Sequence, residues 1–339
     1  MAKKIKKYLC SLCFAMACLC INLAANAQSG LIKEHEPARN TVWEGKIDRN
    51  IRFLADSICQ GRATGTRGNA EAAFRIIRQF GKAGLLAFDS TYVKHFYAGK
   101  GLVGHNIVGM IPGSVKYPNS RYVIVGAHYD HLGFLSGNVY PGADANASGT
   151  VALTCLADMF SAMKTIGRTF TSNIIFVAFD AKEMDMAGSQ AFFEMIERGD
   201  LKDPLTGKTI TKDKIRLMVN IDQVGTTLAP IHKDRKDYLI MLGSGSLPRD
   251  RKDALQLCNR MYDIKLDIGL DYYGSETFTK IFYRLSDQRV FVDNKIPAVL
   301  FTSGITMNTN RTRDTAETIS LDVMKKRIYL IYHWLTKML

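Results

Sequence analysis

Five short apolar runs rich in β-branched residues punctuate this chain: "YVIVGAHYD", "NIIFVAFDA", "IRLMVNIDQVG", "DYLIMLGSG" and "IPAVLFTSG". Longer amphipathic stretches separate or flank them, among them "NAEAAFRIIRQFGKAGL", "GTVALTCLADMFSAMKTI" and the terminal "SLDVMKKRIYLIYHWLTKML". Strand-length and helix-length segments in this alternation predict an α/β layer architecture, with a central sheet flanked by helices. No internal repeat, low-complexity linker or Pro-rich seam interrupts the pattern after the first thirty residues, so one domain is expected.

The amino terminus is set apart. Lys3, Lys4, Lys6 and Lys7 precede an apolar run from Tyr8 to Ala25 that ends at Ala25-Asn26-Ala27, the layout of a secretory signal. Residues 1–27 are read as that signal and 28–339 as the domain, which places the chain in the periplasm or outside the cell. The run is short for a membrane span and lacks a stop-transfer flank, so no stable span is expected. Lipidation at Cys18 or Cys20 is a minor alternative. Removing four of the 45 basic residues and none of the 32 acidic ones lowers the net charge from +13 to +9. The remaining basic residues are scattered and form no basic-aromatic motif, so nucleic acid is not an expected partner. Four of seven cysteines fall in the signal, and Cys59, Cys155 and Cys258 are too dispersed for a disulfide framework.

Chemistry concentrates where strands stop, since loops there escape the hydrogen-bond ladder and can project into a crevice. In "AHYDHLG", His128 and Asp130 are two apart and share a face of an extended chain, so one imidazole nitrogen can face a ligand while the other meets the carboxylate. In "YPGADANASGT", Asp144 sits in a small-residue turn ahead of a helix; a turn or cap accounts well for Asn146 or Ser148, while Asp144 is early enough to point into a cleft. Glu183 and Asp222 follow the next two strands. One imidazole and three carboxylates suit zinc or another borderline divalent ion, and unmetallated the acids would raise one another's pKa.

Together these stretches resemble the zinc aminopeptidase and glutaminyl cyclase family, metallopeptidase family 28. The likeness runs from "FLADSICQGRATGTRGNAEAAFRIIRQFGKAGL" through "AHYDHLG", "GADANASGT", "FVAFDAKEMDMAGS", "NIDQVG" and "SDQRVF" to "RDTAETI". It implies a three-layer, zinc-exopeptidase-like domain with a mostly parallel sheet. It also implies two zinc ions sharing Asp144, with His128 and Asp222 on one, Glu183 on the other, and Asp130 orienting His128.

Two positions depart from the resemblance. Lys182 stands where the family carries a general-base Glu, and Asn310 where it carries the last His ligand. A protonated lysine cannot accept a proton from zinc-bound water, and a neutral amide is a poor zinc ligand. One coherent arrangement is a single zinc held by His128, Asp144 and Asp222, with the Lys182 ammonium in the electrostatic place of the second ion; Lys182 facing solvent is the plainer one. Asp180 or Asp185 could substitute as base, and His131 lies near the first ligand. The expected function is an exported, zinc-dependent exopeptidase-like protein, acting on peptides or amine-bearing small ligands, with weakened or absent hydrolysis. The alternatives are an inactive binding protein on the same scaffold and a glutaminyl cyclase-like acyltransferase. Tyr272 and Tyr273 could line a side-chain pocket or belong to the core.

Overall fold

The computed structural model describes residues 26–339 apart from 100, 115, 117–120 and 228–234; nearly all of the export segment therefore lies outside the described residues. In chain order the strands are β1 (Leu86–Ala87), β2 (Val93–Gly99), β3 (Leu102–Ile111), β4 (Tyr122–His128), β5 (Gly133–Leu135), β6 (Asn138–Tyr140), β7 (Asn173–Phe179), β8 (Ile215–Ile221), β9 (Tyr238–Leu242), β10 (Asp267–Gly269) and β11 (Ala298–Thr302). The helices are α1 (Glu36–Arg39), α2 (Glu44–Ala55), α3 (Arg67–Lys82), α4 (Gly149–Thr165), α5 (Ala187–Glu197), α6 (Arg249–Met261), α7 (Glu276–Tyr283), α8 (Gln288–Asp293) and α9 (Leu321–Met338).

Among the described residues the main sheet has nine strands in the order β1-β3-β7-β4-β8-β11-β9-β10, with β2 also on β3. The centre, β7-β4-β8-β11, is parallel and is built from four of the five apolar runs, while the fifth run, β9, joins it antiparallel. The wings are mixed: β3 joins β7, and β9 joins β11, antiparallel. A parallel centre needs helical crossovers, and these bury both faces of its strands. Strand periodicity sorts the side chains: Val123, Val125, Ala127, Ile174, Phe176 and Ala178 pack on one face with α2, α3, α4, α6 and α9. Ile124, Ile175, Val177 and Phe179 pack on the other with α5 and α8. The three layers form one domain, and each fully buried aliphatic or aromatic side chain contributes about 1.5–3 kcal/mol.

Gly126 in β4 shows how tightly the floor of the site is built, since a Cβ there would lie 2.5 Å from Phe179 Cε2. Cys59, Cys155 and Cys258 are free and buried, in keeping with small apolar packing rather than cross-links. Among the described residues no helix is long and apolar enough to cross a membrane.

Candidate functional site

The chain leaves β4 through α4 to β7 on one side, then crosses through α5 to β8 on the other, so the winding reverses at β4. Open α/β sheets form their crevice at such a reversal, beyond the carboxyl ends of the strands. Here β4 ends in His128, β8 is followed by Asp222, and the loop after β7 carries Lys182 and Glu183. A cavity of about 150 Å³ opens above them, with His128, Ala145, Lys182, Asp222, Gln223 and Asn310 on its polar side. Tyr272, Phe282, Leu285, Leu300 and Ile305 form an apolar wall. Tyr272 fills both roles foreseen for it, since it is buried in a small core with Phe282 stacked on it at 4.0 Å and also faces the cavity.

The floor is a chain of alternating charge. His128 Nε2 lies 3.5 Å from Asp222 Oδ1, and Nδ1 lies 3.4 Å from Asp130 Oδ1 and 3.1 Å from the Asp130 main-chain oxygen. Asp130 Oδ2 accepts from the Glu183 amide at 3.0 Å, which ties the β4 and β7 loops together. Lys182 Nζ donates to Glu183 Oε1 at 3.1 Å, and its side chain is 21% exposed. Burial pulls the His128 imidazolium pKa down, but Asp222 and Asp130 outweigh it and raise it to about 10. Burial likewise opposes the Lys182 ammonium, yet Asp222 and Glu183 hold its pKa above the usual lysine value. Asp222, despite burial, is held below the ordinary carboxylate range by His128 and Lys182.

Asp144 is placed differently. Its Oδ1 accepts from Gly225 N at 2.7 Å and Ser148 Oγ at 2.9 Å, and its Oδ2 from Thr226 Oγ1 at 2.6 Å. Those partners are fixed in turn by the fully buried Arg327, whose guanidinium donates to the carbonyls of Val224, Thr226 and Tyr238. Burial raises the Asp144 pKa against these hydrogen bonds. The residue of this turn that lines the cavity is the next one, Ala145. The rest of the turn is equally committed: Asp314 accepts from the amides of Asp144 and Ala145, and Asn146 donates to the carbonyls of His128 and Ile221, lacing the ends of β4 and β8. Gly142 adopts φ +58° where a Cβ would strike Ala145 O at 2.5 Å.

The other candidates also separate. Asp180 is buried and accepts from Thr64, Asn69 and the amides of His105 and Ala181, and burial with the nearby Asp130 raises its pKa to about 6. Asp185 is exposed and pairs with Arg289 at 2.9 Å. Neither of these proposed substitute bases lines the cavity. His131 is buried, its ring nitrogens carry no hydrogen bond, and burial together with Arg62 keeps it neutral. Asn310 lines the cavity as an exposed residue at φ 58°.

Several further residues position the site without having been singled out from the sequence. Buried Arg62 donates to the carbonyls of Leu54, Tyr129, Pro141 and Gly142, clamping the loops that hold His128 and Ala145. Asp287, within the quoted "SDQRVF", is fully buried, and burial raises its pKa to about 6 against the pull of His128. A buried guanidinium bonded only to main-chain carbonyls has no sequence signature, because its partners carry no residue identity.

A catalytic zinc takes three protein ligands and an open position. Of the side chains that could supply them, His128 and Asp222 face the cavity, Asp144 is consumed by Gly225, Thr226 and Ser148, and Glu183 is bonded to an ammonium. Among the described residues no three His, Cys, Asp or Glu side chains are disposed to hold a metal ion. The donor set does not fit zinc.

The comparisons agree on ancestry. Leucine aminopeptidase 1 of Aspergillus niger is 26% identical over 232 residues, 65% of this chain, and the chain spans about half, 51%, of that relative's length. The zinc aminopeptidase of Bacillus subtilis superposes with a TM-score of 0.63 at 13% identity, covering 87% of this chain and 95% of that one. Glutaminyl cyclase of Fimbriiglobus ruber gives 0.65 at 16% identity, covering 87% and 95%. These two structures share the fold. The family model for peptidase family M28 matches residues 106–335, which is most of the domain, and the chain belongs to peptidase family M28.

Proposed function

We propose that this chain is an exported binding protein on the aminopeptidase scaffold that works without zinc, with peptide hydrolysis weak or absent. One observation carries the reading: the Lys182 ammonium stands at the cavity floor between Glu183 and the charge of Asp222, where a divalent cation would otherwise have to balance the acids. The commitment of Asp144 to Gly225, Thr226 and Ser148 supports it, as does the amide of Asn310 on the cavity wall. The charged head and apolar tail of residues 3–25 support export.

A zinc-dependent aminopeptidase with one ion is the second reading, favoured by His128 and Asp222 sharing the cavity. Metal analysis of protein purified in zinc-containing buffer, beside assays with a panel of aminoacyl nitroanilides, separates the two. Protein with negligible bound zinc and no hydrolysis is expected. One zinc per chain accompanied by turnover would refute the proposal.

A further inference from the structure

The floor of the cavity presents two polar groups of opposite kind. Asp222 is 8% exposed; its Oδ1 is enclosed and faces His128 Nε2 at 3.5 Å, which leaves the exposed part of the carboxylate to meet a ligand. Lys182 carries three N–H donors, and among the described residues its ammonium uses one of them, on Glu183. Both side chains line the same cavity, opposite the wall of Tyr272, Phe282, Leu285, Leu300 and Ile305. A carboxylate accepts and an ammonium donates, so the cavity offers a ligand one hydrogen bond in each direction, given to Asp222 and taken from Lys182.

Charge narrows the choice. A ligand ammonium would satisfy Asp222 but would be forced against Lys182, a cation the protein already supplies. A ligand carboxylate would satisfy Lys182 but would bring no donor to Asp222 and would repel it. An uncharged amide offers an N–H and a C=O together and meets neither penalty. The free space of about 150 Å³ suits one amide with one aliphatic or aromatic side chain. Of the wall, Leu285 and Ile305 are about half exposed, so apolar surface continues outward from the cavity and favours a ligand with further apolar substance outside it.

Building on the metal-free binding role proposed above, we infer that the cavity selects an uncharged amide bearing an apolar side chain, such as a capped peptide end, over a free amine or a free carboxylate. Three small probes test it by calorimetry or NMR titration at about pH 6.5, where an α-amine is largely protonated: N-acetyl-leucinamide, leucinamide and N-acetyl-leucine. The full mature chain is expected to bind N-acetyl-leucinamide at least about tenfold more tightly than either charged probe, on the strength of like-charge repulsion alone. Lys182→Glu is expected to invert the preference toward leucinamide, and the uncharged Leu285→Ala to weaken all three probes while leaving their order intact. Circular dichroism shows whether each variant is folded, and the three-probe ranking on the parent chain decides the matter by itself. Leucinamide binding as tightly as the capped amide, or no binding of any probe at about 10 mM, weaker than any functional small-ligand site, overturns the inference. Zinc content and leucinamide hydrolysis are measured on the same sample: bound zinc with turnover defeats the metal-free reading, whereas metal-free protein without amide preference defeats only the ligand class.

Discussion

Replacing Asp144 distinguishes a structural carboxylate from a metal ligand. Asp144→Ala strands the Gly225 amide and the Thr226 hydroxyl in the core, while Ser148 keeps its bond to the Asp144 main-chain oxygen. Each stranded buried donor costs about 1–3 kcal/mol. Release of a buried charge whose pKa burial has raised offsets part of that, so a net loss of about 2–4 kcal/mol is expected. Asp144→Asn keeps one oxygen toward Gly225 and Ser148 and turns its amide toward the Thr226 hydroxyl, which can accept, so about 1 kcal/mol is expected. The sign with pH follows from the raised pKa: the parent is favoured in acid, below the unfolded carboxylate value, and loses that advantage as pH rises through the folded value. The gap between parent and Asp144→Asn should therefore narrow toward neutral pH. Urea unfolding with and without zinc reads all of this as midpoint shifts at constant slope. A zinc site using Asp144 would instead stabilise the parent by about 2.7 kcal/mol at free zinc one hundred times Kd, and the variants would lose that increment. Such a zinc-dependent shift in the parent alone, or an Asp144→Ala chain as stable as the parent, would refute the structural role.

Other perturbations follow from the same geometry. The triple variant Ala145→Asp, Lys182→Glu, Asn310→His places three new donors around a cavity that already holds His128 and Asp222, and calorimetry should then detect at least one bound zinc where the parent binds none. Arg327→Met removes three charge-assisted hydrogen bonds to main-chain carbonyls and should cost about 3–5 kcal/mol in urea unfolding; a loss below about 1 kcal/mol would contradict its role in holding the 224–226 loop. His35 and His333 are buried in a cluster with Tyr262 and Tyr332, where burial, with Lys337 and Arg39 nearby, lowers their pKa values to about 4 and about 2. Their stabilising effect is present above the unfolded value of about 6.5 and is lost as pH falls toward 4, at a limiting slope of about 1.4 kcal/mol per unit for each imidazole. His333→Phe should roughly halve that slope between pH 6 and 4.5, and an unchanged slope would show that the cluster does not carry the acid sensitivity.

The strand runs were legible because they belong to a sheet covered on both faces, where nearly every residue from Tyr122 to His128 and from Asn173 to Phe179 is apolar and buried. Position at a strand end located His128 and Asp222 for the same reason, since backbone topology alone carries them to one crevice, while Lys182 stood out only against the family pattern. The antiparallel wings were less visible. Strands such as β1 and β10 are two and three residues long, too short for periodicity to register.

Asp144 shows where that logic stops. Alternation predicts a side chain's direction only while the chain is extended, and "GADANASGT" is a turn in which direction is set by partners far away in sequence. Gly225, Thr226 and the Arg327 that fixes them are 81, 82 and 183 residues removed from Asp144 by the chain numbering, and none advertises the contact. A displacement of one position, from Asp144 to Ala145, then changes the chemistry of the whole cavity. It leaves an alanine on the cavity where a third carboxylate was expected, which is part of the basis for the metal-free reading proposed above. What positive charge the floor still needs comes from the chain itself, His128 between Asp130 and Asp222 and Lys182 against Glu183. Lysine at 182 and alanine at 145 are thus two sides of one electrostatic condition: restoring either a carboxylate at 145 or a base at 182 alone would unbalance the floor, which is why the metal-binding variant must change them together.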